Sequence, residues 1–172
     1  MPTDRSDNLY ASWRESTEKF DYFILGVICA MCAFISQTYK PAQVGMNAGT
    51  LELIALLVLV LASVVGFRRI ERVLLVTMLN HRELHAYEAR GAMVAKMSGG
   101  KTLINEATGH IYTPEAAAKR VSELTKTIEQ LTVERVPVQA AALRSYKLRN
   151  AFTLIGFLLL LTARVLSAYP SA

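Results

Sequence analysis

Three long apolar runs, separated by one long charged stretch, constrain this chain more than any other feature. The runs cover residues 22–38, 51–67 and 151–168, and the charged side chains inside them are Glu52 and Arg164. A helix rises about 1.5 Å per residue, so each run approaches the length that crosses roughly 30 Å of hydrocarbon. The sequence therefore predicts an all-α integral membrane protein with three spans.

The charges outside the runs predict how the spans are oriented. Residues 1–21 carry three basic and five acidic side chains, whereas residues 68–149 carry fourteen basic and eight acidic ones. Lys and Arg accumulate on the cytoplasmic side of a membrane. The N-terminus and residues 68–150 are therefore predicted to be cytoplasmic and the C-terminus to lie outside, as in a bacterial inner membrane.

Six basic side chains flank the ends of the apolar runs. Anionic lipid headgroups attract such residues, and this explains the basic excess better than nucleic acid does. We therefore predict headgroup contacts for Arg68, Arg69, Arg72, Arg144, Lys147 and Arg149. The lipid bilayer is the expected partner, and nucleic acid is not.

Composition divides the membrane part of the chain into three segments. Residues 1–21 are polar and are predicted to form a short interfacial helix or a disordered start. Residues 22–67 form a transmembrane hairpin, with spans over about 22–38 and 51–67. Residues 151–172 contain the third span and a short outer tail.

The segment 68–150 is predicted to be a long antiparallel helical hairpin. The second span has no stop signal until Ser98-Gly99-Gly100, where glycine permits the left-handed turn that ends helices. Thr113-Pro114-Glu115 then starts another helix, with a capping hydroxyl, a proline in the first turn and an acid near the helix N-terminus. We expect the two arms to be continuous with spans two and three, and a small β-hairpin over residues 101–112 to form the tip.

The second arm carries apolar residues at the alternating spacing of three and four that is typical of a heptad seam. The seam consists of Ala117, Val121, Leu124, Ile128 and Leu131, and Arg135 interrupts it. Such a seam serves either the packing of the hairpin or the association of copies.

Glu52 and Arg164 are predicted to lie at matching depths, each about one turn inside the outer end of its span. Charged groups at such depth are costly unless they pair or reach the surface. Three interpretations remain open: an ion pair that locks spans two and three, a ring of charges around a pore in an oligomer, and independent extension of each side chain to the surface.

His81, His85 and Glu88 share one face of the first arm, at spacings of four and three. Two imidazoles and a carboxylate are ligands that zinc accepts. The alternative is a solvated polar face. The metalloprotease pattern H-E-x-x-H is absent. Its acid directly follows the first histidine, whereas Glu83 comes two residues after His81.

The sequence contains no arrangement of nucleophile, base or paired acids that indicates catalysis, so we predict a protein that is not an enzyme and needs no cofactor. The leading hypothesis is a membrane scaffold or adaptor that forms a homo-oligomer and presents its hairpin to a cytoplasmic protein partner. The alternative is a homo-oligomeric small ion channel or pore-forming effector.

Overall fold

The computed structural model describes residues 4–39, 45, 47–99 and 112–168, and these residues form three long helices. Helix α1 covers Asp4–Thr38, α2 covers Ala48–Ser98 and α3 covers Pro114–Ala168. No strand occurs within the described ranges, so the all-α fold is confirmed for them. The predicted β-hairpin at the tip falls almost entirely on residues outside those ranges.

Helix α1 is longer than the sequence predicted, because it begins at Asp4 and continues without a break into the apolar run. Residues 4–25 contain neither proline nor glycine, so nothing interrupts the backbone ladder at the predicted border near residue 21. An i,i+4 contact of 2.7 Å between Glu15 and Lys19 adds local support. Residues 4–21 are therefore helical and continuous with the apolar run, and their position at a membrane interface stays a prediction.

The ends of α2 and α3 follow the capping rules. The Asn47 Oδ1 atom accepts a hydrogen bond of 2.8 Å from the amide of Thr50 at the start of α2. Helix α2 ends at Ser98, as predicted. Helix α3 begins at Pro114, and the hydroxyl of Thr113 accepts a bond of 3.3 Å from the amide of Ala116. The predicted end of α2 and the predicted start of α3 are thus confirmed.

The chain forms two compact units. The first unit consists of Met1–Glu71 and Ala142–Ala172, and the second consists of Arg72–Ala141.

The first unit is a bundle of α1, the first part of α2 and the last part of α3. Its buried residues recur mostly three or four positions apart on each helix, which is the spacing of helices that pack along a common seam. Ile28, Ile35, Leu59 and Ala62 form the core, and Phe152 and Leu160 of α3 pack against it. The buried positions are Asp21, Leu25, Ile28 and Ile35 on α1; Glu52, Ala55, Leu59, Ala62 and Arg69 on α2; and Ala142, Ser145, Arg149 and Ala163 on α3.

Large apolar side chains cover the outside of this bundle. Phe23, Leu57 and Leu154, one from each helix, are 65%, 56% and 60% exposed. An exposed apolar surface of this extent is typical of a membrane or protein contact. All three helices are long and apolar enough to cross a membrane by length and composition. The predicted number of spans stays a prediction.

The second unit pairs the remainder of α2 with the first part of α3. Arg72 Nη1 donates to the Ala141 carbonyl at 3.2 Å, and the Thr132 hydroxyl donates to Glu83 Oε1 at 2.9 Å. Residue numbers therefore fall on α3 as they rise on α2, so the two segments run in opposite directions. Leu79 and Ala86 of α2 are buried in this unit, as are Ala117 and Ile128 of α3.

Candidate functional site

A cluster of buried charges joins all three helices at one end of the first unit. Arg69 Nε donates to Asp21 Oδ2 at 2.8 Å, and Arg149 Nη1 donates to Asp21 Oδ1 at 2.7 Å. The side chains of Asp21, Arg69 and Arg149 are 6%, 10% and 1% exposed. The ring of Tyr146 lies 4.5 Å from the Arg69 guanidinium carbon and 5.4 Å from that of Arg149. We call these four residues the Asp21 cluster.

Each charged member of the Asp21 cluster stands at the edge of an apolar run. Asp21 precedes the first run, Arg69 follows the second closely and Arg149 precedes the third closely. Each also continues the buried face of its own helix, in register with the apolar core. Packing of the three helices therefore brings the charges together where the apolar part of the bundle ends.

The surroundings of the Asp21 cluster satisfy most of its hydrogen-bonding groups. Arg149 donates through Nε and Nη2 to Asn150 Oδ1 at 3.2 and 3.0 Å. Arg69 donates through Nη1 to the carbonyl of Ala142 over 3.4 Å, a long contact. Buried ions are costly, and removing one partner of such a pair typically destabilises a protein by about 3–5 kcal/mol. The stability of the Asp21 cluster thus depends on the carboxylate of Asp21, to which both arginines donate.

This geometry bears on the predicted set of headgroup contacts. Arg149 is completely buried against Asp21 and the packed helices, which leaves no room for a headgroup. Arg69 is 8% exposed and lines a cleft in the first unit, so its headgroup contact stays a prediction. Arg72 is partly buried and bonds to the carbonyl of Ala141. The exposed members, Arg68, Arg144 and Lys147, stay predictions as headgroup contacts.

A second polar contact joins the helices at the opposite end of the first unit. Arg164 Nε lies 3.4 Å from Glu52 Oε1, and Arg164 Nη2 donates to the Thr38 hydroxyl at 3.1 Å. The Glu52 side chain is 10% exposed, whereas that of Arg164 is 44% exposed. The structure thus brings the two predicted residues together and adds Thr38 of α1, which the sequence argument did not include. Their depth in a membrane stays a prediction.

The second unit contains its own partly buried polar contact, formed by Glu83, Thr132 and Arg135. Arg135 Nε donates to Glu83 Oε2 at 2.8 Å, and the Thr132 hydroxyl donates to Oε1 at 2.9 Å. Arg135 was expected to interrupt the heptad seam. Instead it occupies the next seam position after Leu131 and is paired there, so the seam continues through a polar layer.

The seam residues lie at the packed face of α3 in the second unit. Ala117 is fully buried, Ile128 is 5% exposed, and Val121, Leu124 and Leu131 are half-buried. Since α2 contributes buried Leu79 and Ala86 to the same unit, the seam is used for packing within one chain. A role of the seam in the association of copies stays a prediction.

The histidine face forms no compact ligand set. The rings of His81 and His85 are edge-to-face with centroids 4.4 Å apart, and His85 Nδ1 lies 3.7 Å from Glu88 Oε2. The His85 and Glu88 side chains are each about two-thirds exposed, at 66% and 64%. Across the part of the chain that the structure describes, no three His, Cys, Asp or Glu side chains group so as to hold a metal ion. The metal interpretation receives no support.

Sequence reasoning missed Asp21 as a central residue, although a signal was present. Asp21 stands four and seven positions before Leu25 and Ile28, which places it on the apolar face of α1. An acid on the buried face of a helix needs a cation from a neighbouring helix. Arg69 and Arg149 were available, but both had been assigned to lipid by their position alone.

Comparisons of the chain with protein-family models, with curated proteins and with solved structures each gave no match.

Proposed function

We propose that this protein is a non-enzymatic membrane scaffold or adaptor that forms a homo-oligomer. In this proposal the first unit spans a bacterial-type inner membrane three times. The second unit is a cytoplasmic antiparallel helical hairpin that docks a second copy or a protein partner. The N-terminus is cytoplasmic and the C-terminus lies outside.

The observation that carries the proposal is an exposed apolar stripe on α2 in the second unit. Leu84, Tyr87 and Val94 are 56%, 49% and 46% exposed, although they flank the packed face. Gly91 lies between them, and a methyl group added there would meet nothing within 4 Å. Spacings of three and four place all four residues on one side of the helix. We call them the Tyr87 stripe.

A stripe of this kind favours helix-in-groove association over solvation. Two helices can bury one face each against the other, so a second apolar face has no neighbour within a two-helix unit. An added helix from another copy would convert the pair into a bundle. The fully exposed apolar exterior of the first unit, by contrast, suits lipid.

Native mass spectrometry of the full-length protein in detergent tests the scaffold proposal. We expect a dimer or larger assembly that Tyr87→Glu or Val94→Glu dissociates, because a carboxylate in the stripe would be desolvated by association. Ala89→Glu is the matched control, since Ala89 is exposed and lies off the stripe. A monomeric parent protein, or equal behaviour of all three variants, would contradict the proposal.

Cysteine labelling in intact cells tests the orientation. Cys29 and Cys32 are first replaced by alanine, and single cysteines are then introduced at Arg90, which is half-buried on α2, or at Gly45, which is exposed before α2. We expect a membrane-impermeant maleimide to label position 45 and not position 90. The opposite pattern would refute the orientation and the charge argument behind it.

The alternative of a homo-oligomeric channel places the ion path between copies. Ile28, Ile35 and Leu59 are fully buried and fill the interior of the first unit, which disfavours a path within one chain. Flux of monovalent ions from loaded liposomes distinguishes the two proposals. Flux that disappears in Glu52→Gln would favour the channel, and a silent reconstituted oligomer would favour the scaffold.

A further inference from the structure

The first unit contains a cleft of about 520 Å³ beside the Asp21 cluster. Its polar lining consists of Ser16, Thr17, Asp21 and Arg69, and Phe20, Leu143 and Tyr146 contribute apolar surface. We propose that this cleft binds a phosphate group, carried by an anionic phospholipid headgroup or by a soluble phosphate. The proposal rests on the cleft and does not depend on the scaffold role.

The Asp21 cluster carries a net positive charge. It contains two guanidinium groups and one carboxylate, and all three side chains are at least nine-tenths buried. Asp21 uses Oδ2 for Arg69 and Oδ1 for Arg149, so its charge is already shared between the two cations. One positive charge remains without a counter-ion inside the cluster. Buried charge of one sign is costly, and an anion at the open side would neutralise it.

Arg69 keeps a donor atom that is not used within the protein. A guanidinium group has five N–H bonds. The bonds from Arg69 to described residues use Nε, for Asp21, and Nη1, for the Ala142 carbonyl. Nη2 makes no such bond, and since no fully buried side-chain nitrogen among the described residues lacks a partner, Nη2 retains some exposure. Because Arg69 lines the cleft, we infer that a ligand reaches this atom from the cleft.

The guanidinium group of Arg69 is held in a fixed orientation. The Tyr146 ring lies 4.5 Å from its central carbon, and the bond to Asp21 fixes another edge of the group. A guanidinium held in one plane presents paired donors that match two oxygens of a phosphate. The ligand therefore does not have to order a flexible side chain, which is a large part of the entropic cost of binding an ion.

Part of the wall of the cleft is apolar. Phe20 and Leu143 line the same cleft as Arg69 and are 48% and 55% exposed. The cleft stands at the border where the apolar run of α1 begins, one residue after Asp21. A phospholipid presents the same pair of features, with its phosphate next to apolar chains. Of the two phosphate sources, the wall favours the lipid.

Thermal unfolding of the full-length protein in nanodiscs and in detergent tests the proposal. Nanodiscs of phosphatidylglycerol and of phosphatidylcholine are compared, and detergent samples receive sodium phosphate or sodium chloride at equal ionic strength. A higher melting temperature in phosphatidylglycerol than in phosphatidylcholine, without an effect of inorganic phosphate, assigns the lipid source. A higher melting temperature in sodium phosphate than in sodium chloride assigns the soluble source. Equal melting temperatures within both comparisons would overturn the site.

Two variants connect the effect to the cleft. Ser16→Glu places a carboxylate in the wall of the cleft that Arg69 also lines, and we expect it to weaken retention of phosphatidylglycerol in native mass spectrometry by about tenfold or more. Arg68→Gln is the control, because it lowers the net charge at a neighbouring exposed residue outside the cleft. Ser16→Ala checks that the position tolerates change. If Arg68→Gln lost as much lipid as Ser16→Glu, general attraction to anionic lipid would replace the proposed site.

Discussion

Gly156 has the least room for a side chain among the glycines of the three apolar runs. A methyl group built on Gly156 would lie 2.8 Å from Leu59 Cγ and 2.9 Å from Leu59 Cδ2, with the Ala55 carbonyl oxygen at 3.5 Å. Leu59 is completely buried and cannot swing aside into solvent. We therefore expect Gly156→Ala to force α2 and α3 apart or to push Leu59 out of its rotamer.

The expected size follows from two opposing terms. Overpacking a tight core costs roughly 1–3 kcal/mol. Replacing glycine by alanine inside a helix stabilises it by about 0.5–1 kcal/mol. Gly156→Ala should thus lower the free energy of unfolding by about 1–2 kcal/mol. Gly26→Ala is the matched control within the apolar runs, because a methyl group there meets nothing within 4 Å, and it should be neutral or slightly stabilising.

Gly66→Ala should fall between these two variants. Its methyl group would lie 3.1 Å from Leu25 Cδ1 and 3.3 Å from Arg149 Cδ, and the end of a leucine side chain can shift by a few tenths of an ångström. Circular dichroism during thermal unfolding in one detergent gives the ranking of the three variants. The destabilisation should increase from Gly26 to Gly66 to Gly156.

A second substitution tests the cause. Leu59→Ala alone leaves a cavity and should cost about 2–5 kcal/mol. In that background the added methyl at Gly156 occupies freed space, so Gly156→Ala should become harmless or favourable. Equal stability of Gly26→Ala and Gly156→Ala, or additive effects of the two changes at 59 and 156, would refute this helix spacing.

Three further predictions concern the polar contacts and the helix cap. Asp21→Asn should destabilise the protein by about 3–5 kcal/mol in thermal unfolding, because it leaves two buried guanidinium groups without an anion; a loss below that of Glu52→Gln would contradict the ranking by burial. A double-mutant cycle at Glu52 and Arg164 should give a smaller coupling, on the order of 1 kcal/mol, since Arg164 is 44% exposed, and no coupling would disprove the pair. Thr113→Ala should cost about 1 kcal/mol by loss of the cap of α3, and unchanged hydrogen exchange in the first turn of α3 would argue against that cap.

Much of the helical architecture could be predicted because its signals are local. Apolar length indicates a spanning helix whatever its neighbours, and the Thr113-Pro114 start acts within one turn. The helix end at Ser98 and the apolar seam of the second arm are equally local. Composition placed the start of the first span near residue 22. Helix α1 begins earlier, at Asp4, because no proline or glycine interrupts the backbone between residue 4 and the apolar run.

The pairing of Glu52 with Arg164 could be anticipated because each is the one charged residue of its apolar run and stands about one turn from the end predicted to lie outside. Position along a helix is read directly from residue number, at about 1.5 Å per residue. Two charges at the same level between apolar helices have few other partners. The structure places their atoms 3.4 Å apart, and it adds the hydroxyl of Thr38 from α1.

The end of α2, the start of α3 and the apolar faces of the helices could be read from the sequence, because these depend on neighbours within one or two turns. The pairing of Arg69 and Arg149 with Asp21 could not. It depends on how each helix is rotated about its own axis, which packing of distant residues sets. Asp21 and Arg149 are separated by 128 positions in the chain, and their contact of 2.7 Å exists because core packing turns both side chains toward the same point.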